Sequence, residues 1–195
     1  MNNNVILTDV DGVLLDWEYS FDRYVREHGH KKVVGAEFKY NIGKRYGIDD
    51  DQGKILIKNF NDSASIAFLP PLRDAMYYVK KLHEEHGYVF HAITSLSKNE
   101  HSCLLRRMNL NKLFGETVFE KMVFLDTGAD KAEVLEDYRD TECWFIEDKT
   151  DNCVVGHNMG LRSLLMKHGH NMDFFHSGIQ HVKNWKEVYE NVIGI

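Results

Sequence analysis

The sequence NVILTDVDGV, residues 4–13, decides the fold class of this chain. It begins with an apolar and partly β-branched run from Asn4 to Thr8, a pattern typical of a buried strand. The run stops abruptly at Asp9-Val10-Asp11-Gly12. The stretch therefore predicts a strand that ends in a tight turn, with two carboxylates placed at the strand end.

Four more apolar runs of strand length follow along the chain. They are Tyr88–Ile93, Met122–Leu125, Cys143–Ile146 and Arg162–Met166. Helical patterns separate them, most clearly over 72–86, where apolar residues recur at spacings of three and four before Gly87 ends the pattern. Alternating strands and helices predict an α/β fold, with a Rossmann-like parallel sheet of five strands and helices on both faces.

Residues 16–70 interrupt this alternation. They contain three amphipathic helical patterns, Trp17–Glu27, Glu37–Arg45 and Asp50–Asn61, and no convincing strand pattern. We therefore predict an α/β core formed by residues 1–15 and 71–195, with a small α-helical cap, residues 16–70, inserted after strand 1. The insertion holds nine acidic and nine basic residues, so the net charge of −6 belongs to the core.

Composition argues against several classes of protein. The apolar run at the start is too short for a signal peptide, and no apolar stretch reaches the roughly 18 residues that a membrane-spanning helix needs. The net charge of −6, with no basic stripe, argues against binding to a nucleic-acid polymer. Cys103, Cys143 and Cys153 are too far apart for a disulfide framework or a CxxC site. We expect a cytoplasmic protein with free thiols and no membrane partner.

Polar residues follow the predicted strands at the edge where an open parallel sheet binds its ligands. They are Asp9 and Asp11 after the first strand, Thr94 and Ser95 after the second, Lys131 after the third, and Glu147 and Asp148 after the fourth, with Asp151 and Asn152 a turn later. Converging carboxylates need a compensating cation, and a set of oxygen ligands without His or Cys favours Mg²⁺ over Zn²⁺. The cation and Lys131 would neutralise phosphoryl oxygens, to which Thr94 and the N–H groups of the 9–12 turn would donate hydrogen bonds.

This constellation resembles the haloacid dehalogenase (HAD) superfamily, whose four motifs occur here in order. The motifs are DVDGV at 9–13, Thr94 in AITSLS, Lys131 in DKAEVL, and FIEDKTDN at 145–152. The resemblance implies that Asp9 is a nucleophile that becomes an aspartyl-phosphate, and that Asp11 is the acid and base of the two steps. It also implies that the carboxylates of Asp9 and Asp148 and the backbone carbonyl of Asp11 hold Mg²⁺.

The fourth motif departs from the family pattern, which often has a second acid four residues after the main metal ligand. Asn152 occupies that position here and Asp151 precedes it, so either residue, like Glu147, is a candidate to support the metal indirectly. Within the superfamily the chain most resembles the 5'(3')-deoxyribonucleotidases, through DGVLLDWE at 11–18 and the pairs Thr94-Ser95 and Glu147-Asp148.

The resemblance implies a phosphomonoesterase that acts on a small phosphorylated metabolite, with a nucleoside monophosphate as the first candidate. Gly12, Ser95 and Trp17 would then contact the substrate, although an aromatic residue in a small helical insertion is equally well interpreted as part of its core. The eleven histidines, including His168, His170 and His176, are interpreted as structural rather than as a metal cluster.

Other functions remain open for the same residues. A phosphomutase would keep both Asp9 and Asp11, whereas a dehalogenase would lack the acid at the position of Asp11. A phosphoacceptor receiver domain would place its metal-binding acids before the threonine and lysine, and here Asp148 follows both. A non-catalytic binding protein of the same fold would have no need to keep this whole set of residues.

Overall fold

The structure is a computed structural model that describes residues 4–195. Its centre is a sheet whose strands are Val5–Thr8 (β1), Val89–Thr94 (β2), Phe119–Phe124 (β3), Trp144–Glu147 (β4), Arg162–Met166 (β5) and Gln180–Val182 (β6). All neighbours pair in parallel, in the order β3-β2-β1-β4-β5-β6. The central position of β1 places the turn that follows it between the ends of β2 and β4.

The predicted fold class is confirmed, and the number of strands differs by one. The sheet has six strands rather than five, because β6 was not predicted. This strand is only three residues long and buries the side chain of Val182 alone. So short a segment has no apolar run or alternation that sequence analysis can recognise.

The helices are Trp17–Glu27 (α1), Ile42–Tyr46 (α2), Asp50–Asn61 (α3), Ala75–His86 (α4), Glu100–Phe114 (α5), Ala132–Glu136 (α6), Thr150–Asn158 (α7) and Trp185–Ile193 (α8). Short 3₁₀ turns lie at Ala36–Phe38, Ala64–Phe68 and Gly169–Asn171. Within residues 4–195, none of the helices combines the length and the apolar character needed to cross a bilayer.

Helices α1 and α3 have the predicted bounds, whereas the predicted helix Glu37–Arg45 is wrong. A 3₁₀ turn occupies Ala36–Phe38, and α2 begins only at Ile42. The reason is local: Asn41 has extended backbone angles, and its side chain accepts a hydrogen bond from the Lys44 N–H group at 2.8 Å, which starts a new helix there.

The alternation of strands and helices predicts a helix between β2 and β3, but the bounds of the helix found there, α5, were not predicted. Its inward face buries Ser102, Arg106 and Asn109 together with Leu110 and Phe114, so it has no continuous apolar stripe. A helix whose buried face is partly polar escapes an analysis based on hydrophobic periodicity. This helix nevertheless supplies a charged side chain that reaches the candidate site.

One apolar cluster joins the sheet to the insertion. It contains Phe21 and Phe60 from the insertion, Phe90 from β2, and Trp185 from α8. The Trp185 ring is fully buried, and its Nε1 donates a hydrogen bond to the Val13 carbonyl at 2.8 Å. A residue of the main core is therefore hydrogen-bonded to the segment that directly follows the turn with Asp9 and Asp11.

Both ends of the insertion leave the sheet beside that turn. Leu15 and Pro71 form an antiparallel bridge, and the Asp16 N–H group donates to the Pro70 carbonyl at 2.9 Å. The Leu72 N–H group donates to the Leu14 carbonyl at 2.8 Å. These paired segments place the three helices of the insertion next to the carboxyl end of β1.

Candidate active site

A cavity of about 690 Å³ lies between the insertion and the carboxyl ends of β1, β2 and β4. The core lines it with Asp9, Asp11, Gly12, Thr94, Ser95, Lys131, Glu147, Asp148 and Asn152, and the insertion lines it with residues that include Trp17, Tyr40, Arg45 and Asn61. The structure thus brings together all of the site residues selected from the sequence except Asp151, which is exposed and does not border the cavity.

Asp9 is held at one of its two carboxylate oxygens. The Val10 N–H group donates to Oδ1 at 2.7 Å, and Lys131 Nζ lies 2.8 Å from the same oxygen. The residue is 8% exposed and borders the cavity. Because Oδ1 is engaged twice and Oδ2 has no hydrogen-bond donor among residues 4–195, Oδ2 is the oxygen that can act on a bound molecule.

Lys131 forms a second ion pair on its other side. Its Nζ lies 2.7 Å from Glu147 Oε2, and the side chain is almost completely buried. Burial opposes its charge, but Asp9 and Glu147 outweigh burial and raise the pKa of Lys131 above its usual value. Lys131 is therefore a fixed ammonium between two carboxylates.

Glu147 supports Lys131 rather than facing the cavity freely. Its Oε1 accepts hydrogen bonds from the N–H groups of Asp148 and Lys149, at 3.2 and 3.0 Å. Although burial favours the neutral acid, the Lys131 ammonium holds the pKa of Glu147 below its usual value. Glu147 is thus an ionised and fully engaged carboxylate.

Asp9, Glu147 and Asp148 form an oxygen cluster, since one oxygen from each lies within 4.8 Å of the others. Burial, followed by repulsion from Glu147, raises the pKa of Asp9 to about 7 despite Lys131. Burial and repulsion from Glu147 and Asp9 raise the pKa of Asp148 as well. With one ammonium for three carboxylates, the fully ionised cluster has an excess of two negative charges, which a hard divalent cation such as Mg²⁺ would neutralise.

Gly12 allows Asp148 to reach this cluster. A Cβ at Gly12 would lie 2.5 Å from Asp148 Oδ2, and the φ angle of +77° also favours glycine. Its N–H group donates to the Leu15 carbonyl at 2.9 Å, so this group is not free for the hydrogen bond to phosphate that we expected of it. In the described part of the turn, the Asp11 N–H group is the one without a protein acceptor.

Thr94 and Ser95 differ in what their hydroxyl groups can do. Ser95 Oγ donates to the Ala129 carbonyl at 2.8 Å, whereas Thr94 Oγ1 is buried without a hydrogen-bond partner among residues 4–195. An unpartnered buried hydroxyl is costly, and this one belongs to a residue that borders the cavity. Thr94 is thus the residue of the pair whose hydroxyl is available to a ligand.

Asp11 lies outside the oxygen cluster. Its carboxylate accepts two hydrogen bonds from Arg106, from Nη1 to Oδ1 at 2.6 Å and from Nη2 to Oδ2 at 3.2 Å. Sequence reasoning missed Arg106 because it lies 95 residues away on a helix with no apolar stripe. The backbone carbonyl of Asp11, the group implied as a metal ligand, is independent of this side-chain contact.

The structure separates the two candidates in the fourth motif. Asn152 is 6% exposed, and its Nδ2 lies 3.4 Å from Glu147 Oε2. Asp151, one residue earlier on α7, is exposed. Asn152 therefore contacts the carboxylate that pairs with Lys131, and Asp151 does not border the site.

Trp17 borders the cavity and also packs within the insertion. Its ring stacks on Phe21 with centroids 4.4 Å apart, and its Nε1 donates to Asn61 Oδ1 at 3.0 Å. Asn61 in turn donates from Nδ2 to the Leu96 carbonyl, also at 3.0 Å. This chain of contacts links the wall of the cavity formed by the insertion to the segment that follows β2.

Two histidines that sequence reasoning set aside border the cavity. His168 Nε2 lies 2.7 Å from the Gly12 carbonyl oxygen, and His170 Nε2 lies 3.8 Å from Asp148 Oδ2. Burial lowers the pKa of both rings below the usual value. Only the HGH sequence at 168–170 could have signalled them, and it carries no information about which strand end they approach. His176 lies elsewhere, beside His157.

The loop that contains these histidines also touches the insertion. Gly169 packs so closely against the Glu37 carbonyl oxygen that there is no room for a Cβ atom. The Tyr40 and His170 rings meet with centroids 5.2 Å apart. The 168–170 segment therefore connects the insertion to both Gly12 and Asp148.

One curated relative shares part of this sequence. It is an uncharacterized 32.4 kDa protein of Enterobacteria phage T4, 30% identical over 156 residues, which are 76% of this chain and 55% of that protein. The chain thus spans about half the length of this relative. No protein-family model matches the sequence.

Solved structures with the same fold include HAD-like hydrolases. A haloacid dehalogenase-like hydrolase from Streptococcus pneumoniae aligns with a TM-score of 0.67 at 13% identity, over 98% of this chain and 99% of that one. A putative HAD-hydrolase from Bacillus subtilis, bound to magnesium, aligns with a TM-score of 0.63 at 15% identity. The alignment covers 97% of this chain and 98% of that one. D,D-heptose 1.7-bisphosphate phosphatase from B. bronchiseptica, complexed with magnesium and phosphate, aligns with a TM-score of 0.59 at 11% identity, over 98% of each chain. This chain therefore has the fold of the HAD-like hydrolases.

Proposed function

We propose that this chain is a magnesium-dependent phosphomonoesterase that hydrolyses a small phosphorylated metabolite through an aspartyl-phosphate. One observation carries the proposal: a half-engaged carboxylate, a buried ammonium and a hydroxyl without a partner among residues 4–195 all border the same cavity. These groups are Asp9, Lys131 and Thr94. A nucleophile, a fixed positive charge and a hydrogen-bond donor are the groups that phosphoryl transfer requires.

In the first step of this reaction, Asp9 Oδ2 attacks phosphorus while the bond from phosphorus to the ester oxygen breaks. Lys131 holds Asp9 Oδ1 in place and offsets charge on the phosphoryl oxygens, and the Thr94 hydroxyl donates a hydrogen bond to one of them. Asp11 gives its proton to the departing oxygen. In the second step water attacks the aspartyl-phosphate, Asp11 takes up a proton from that water, and Asp9 is regenerated as phosphate leaves.

Mg²⁺ suits the donor set because all of its members are oxygens and the ionised cluster has an excess of negative charge. The residues that would hold it are Asp9 and Asp148 through their carboxylates and Asp11 through its backbone carbonyl. When bound, the cation would neutralise negative charge on the transferring phosphoryl group. Glu147, engaged by Lys131, would act on the site only through that lysine.

The insertion is proposed to act as a cap over the cavity. Its ends leave the core beside the catalytic turn, and residues that include Trp17, Tyr40, Arg45 and Asn61 border the same cavity as Asp9. Such a cover excludes water from the reacting phosphoryl group. A nucleoside monophosphate is the first candidate substrate, on the likeness of residues 11–18 to the deoxyribonucleotidases.

The direct test is release of inorganic phosphate from a panel of nucleoside monophosphates, sugar phosphates and other phosphomonoesters in the presence of Mg²⁺. Phosphate release supports the hydrolase, whereas an isomerised ester without free phosphate would identify a phosphomutase. Binding without turnover of any ester would instead favour a non-catalytic protein of this fold. The preferred ester identifies the substrate class.

The dependence on the cation gives a further prediction. We expect Mg²⁺ to be required for turnover and Ca²⁺ to inhibit, because Ca²⁺ takes more ligands at longer distances and loosens the alignment of Asp9 with phosphorus. Mg²⁺ should also raise the melting temperature of the chelator-treated protein, since it binds the folded cluster.

Asp148→Asn is the matched variant for that experiment. It removes one carboxylate from the cluster while keeping the size of the side chain, and we expect it to lose most of the Mg²⁺-dependent rise in melting temperature. Full turnover in excess chelator, or an unchanged thermal response in Asp148→Asn, would contradict the metal site.

Trp17 tests the cap. If the substrate is a nucleotide, Trp17→Ala should remove stacking worth roughly 1–3 kcal/mol and weaken the use of nucleotides more than that of a small generic phosphate ester. Trp17→Phe, which keeps a ring but not the bond to Asn61, is the control for the packing role. Equal losses for both substrates would show that Trp17 serves only the core of the insertion.

A further inference from the structure

The loop that follows β5 reaches across the end of β4 to the turn that follows β1. In the sheet, β4 lies between β1 and β5. Two side chains of this loop, residues 168–171, bind backbone carbonyl groups beyond those two strand ends. His168 contacts the Gly12 carbonyl. Asn171 contacts the Asp148 carbonyl. One short loop is thus attached to both segments that carry the proposed metal ligands.

His168 is the donor in its contact with Gly12. Its Nε2 lies 2.7 Å from the Gly12 carbonyl oxygen, and because a carbonyl oxygen only accepts, Nε2 carries the hydrogen. On the other side of the residue, the Gly12 N–H group donates to the Leu15 carbonyl at 2.9 Å. Gly12 is therefore held at both of its backbone polar groups. Because a peptide unit is planar, fixing the Gly12 N–H group also fixes the direction of the Asp11 carbonyl.

Asn171 anchors the other segment and the loop itself. This residue is buried, and its Nδ2 donates to the Asp148 carbonyl at 2.8 Å and to the Met166 carbonyl at 2.9 Å. Its Oδ1 accepts a hydrogen bond from the His168 N–H group, also at 2.9 Å. Since Met166 is the last residue of β5, the amide ties Asp148 to a strand end and gives the His168 backbone a fixed place beside it.

The two segments that the loop joins are packed without spare room. Asp148 Oδ2 would lie only 2.5 Å from a Cβ atom at Gly12. Oxygens of Asp9, Glu147 and Asp148 lie within 4.8 Å of one another. Buried carboxylates at this spacing repel one another unless a cation lies among them. The cluster therefore depends on backbone contacts that keep its two segments together.

We propose that His168 is a positioning residue of the magnesium site, which holds the 9–12 turn against Asp148 so that their oxygens converge on one cation. The inference rests on the proposed function, in which Asp9, Asp148 and the Asp11 carbonyl hold Mg²⁺. His168 acts through the Gly12 backbone rather than as a ligand. Groups that orient metal ligands in this way typically account for a factor of about 10–100 in metal affinity.

The test measures Mg²⁺ binding without turnover. Chelator-treated protein is titrated with Mg²⁺, and the rise in melting temperature gives an apparent Kd for the cation. His168→Phe keeps an aromatic ring of similar size but has no donor for the Gly12 carbonyl. We expect it to raise the Kd by about tenfold or more.

Two further variants separate the hydrogen bond from the ring. His168→Gln places an amide N–H donor at about the reach of Nε2, so it should recover most of the affinity that His168→Phe loses. His101→Phe makes the same substitution at an exposed position on α5 and is the matched control, for which we expect the wild-type Kd. The melting temperature of each variant in chelator alone reports the separate effect on stability.

A merely structural His168 would lower the melting temperature in chelator and leave the Kd for Mg²⁺ within about twofold of wild type, which overturns the proposal. A loss of affinity that His168→Gln shares in full overturns it as well. If His168→Phe does not fold, His168→Asn takes its place, because the shorter amide cannot reach the Gly12 carbonyl.

Failure of the proposed function gives a different pattern. A wild-type protein whose melting temperature does not respond to Mg²⁺ would overturn the metal site, and the role of His168 with it. A wild-type protein that binds Mg²⁺ but releases phosphate from no ester of the panel would overturn the phosphomonoesterase. In that case the Kd values of the His168 variants still decide whether this residue positions the metal site.

Discussion

Asp9→Asn is expected to abolish phosphate release without loss of folded protein. The amide cannot form the acyl phosphate, so the residual rate should fall below the wild-type rate by at least about 10⁴-fold. The fold should survive, because an asparagine oxygen can still accept the hydrogen bonds that Val10 and Lys131 now give to Oδ1. Steady-state phosphate release and a thermal melt measure the two effects, and a rate within about tenfold of wild type would contradict the nucleophile.

The same variant carries a prediction about pH. Burial raises the pKa of Asp9 from its ordinary value of 3.8 to about 7 in the folded protein, so the folded state binds this proton more tightly than the unfolded chain does. The tighter binding of this proton stabilises the folded state fully below about pH 4, and the stabilisation is lost as the pH rises through about 7. The amide of Asp9→Asn does not titrate, so in chelator the variant should gain stability relative to wild type between about pH 5 and pH 8. A constant difference in melting temperature across that range would contradict the raised pKa.

Lys131→Met should have the second-largest effect, on both activity and stability. The substitution removes the one ammonium that, among the described residues, lies within ion-pair distance of both Asp9 and Glu147, and it leaves those carboxylates buried and mutually repelling. Breaking a buried ion pair by removing one partner costs about 3–5 kcal/mol. Turnover should fall by roughly 10³-fold, because the variant loses both the fixed position of Asp9 and the positive charge near the phosphoryl oxygens.

The pH dependence of this destabilisation distinguishes an electrostatic cause from a packing defect. Without Lys131, the pKa of Glu147 is no longer held down, and both carboxylates titrate above their unfolded values. Their stabilising contribution is then present at low pH and lost as the pH rises, so the gap in melting temperature from wild type should widen between about pH 5 and pH 8. Lys112→Met, at an exposed position on α5, is the control. A gap that does not change with pH would indicate a simple loss of packing.

The fold class and the location of the site could be predicted from local sequence. The buried run before Asp9 and the apolar runs that became β2 to β5 identify a parallel sheet, and such a sheet collects the residues at its strand ends along one edge. This geometric rule needs no side-chain detail. It is why Asp9, Thr94, Lys131 and Asp148, which are distant in sequence, could be expected to border one cavity.

Other features depend on packing that no local pattern records. Whether Thr94 or Ser95 keeps a free hydroxyl depends on where the Ala129 carbonyl lies, and whether Asp151 or Asn152 faces Glu147 depends on the rotation of α7. Arg106 pairs with Asp11 across 95 residues from a helix whose buried face is partly polar. The sequence by itself determined five of the six strands of the described sheet, the order of the motifs and the edge at which they gather, because backbone periodicity and strand polarity are local properties. Only the tertiary structure decided which polar groups are paired and which are free, because hydrogen bonds and ion pairs between distant segments exist only once those segments are packed.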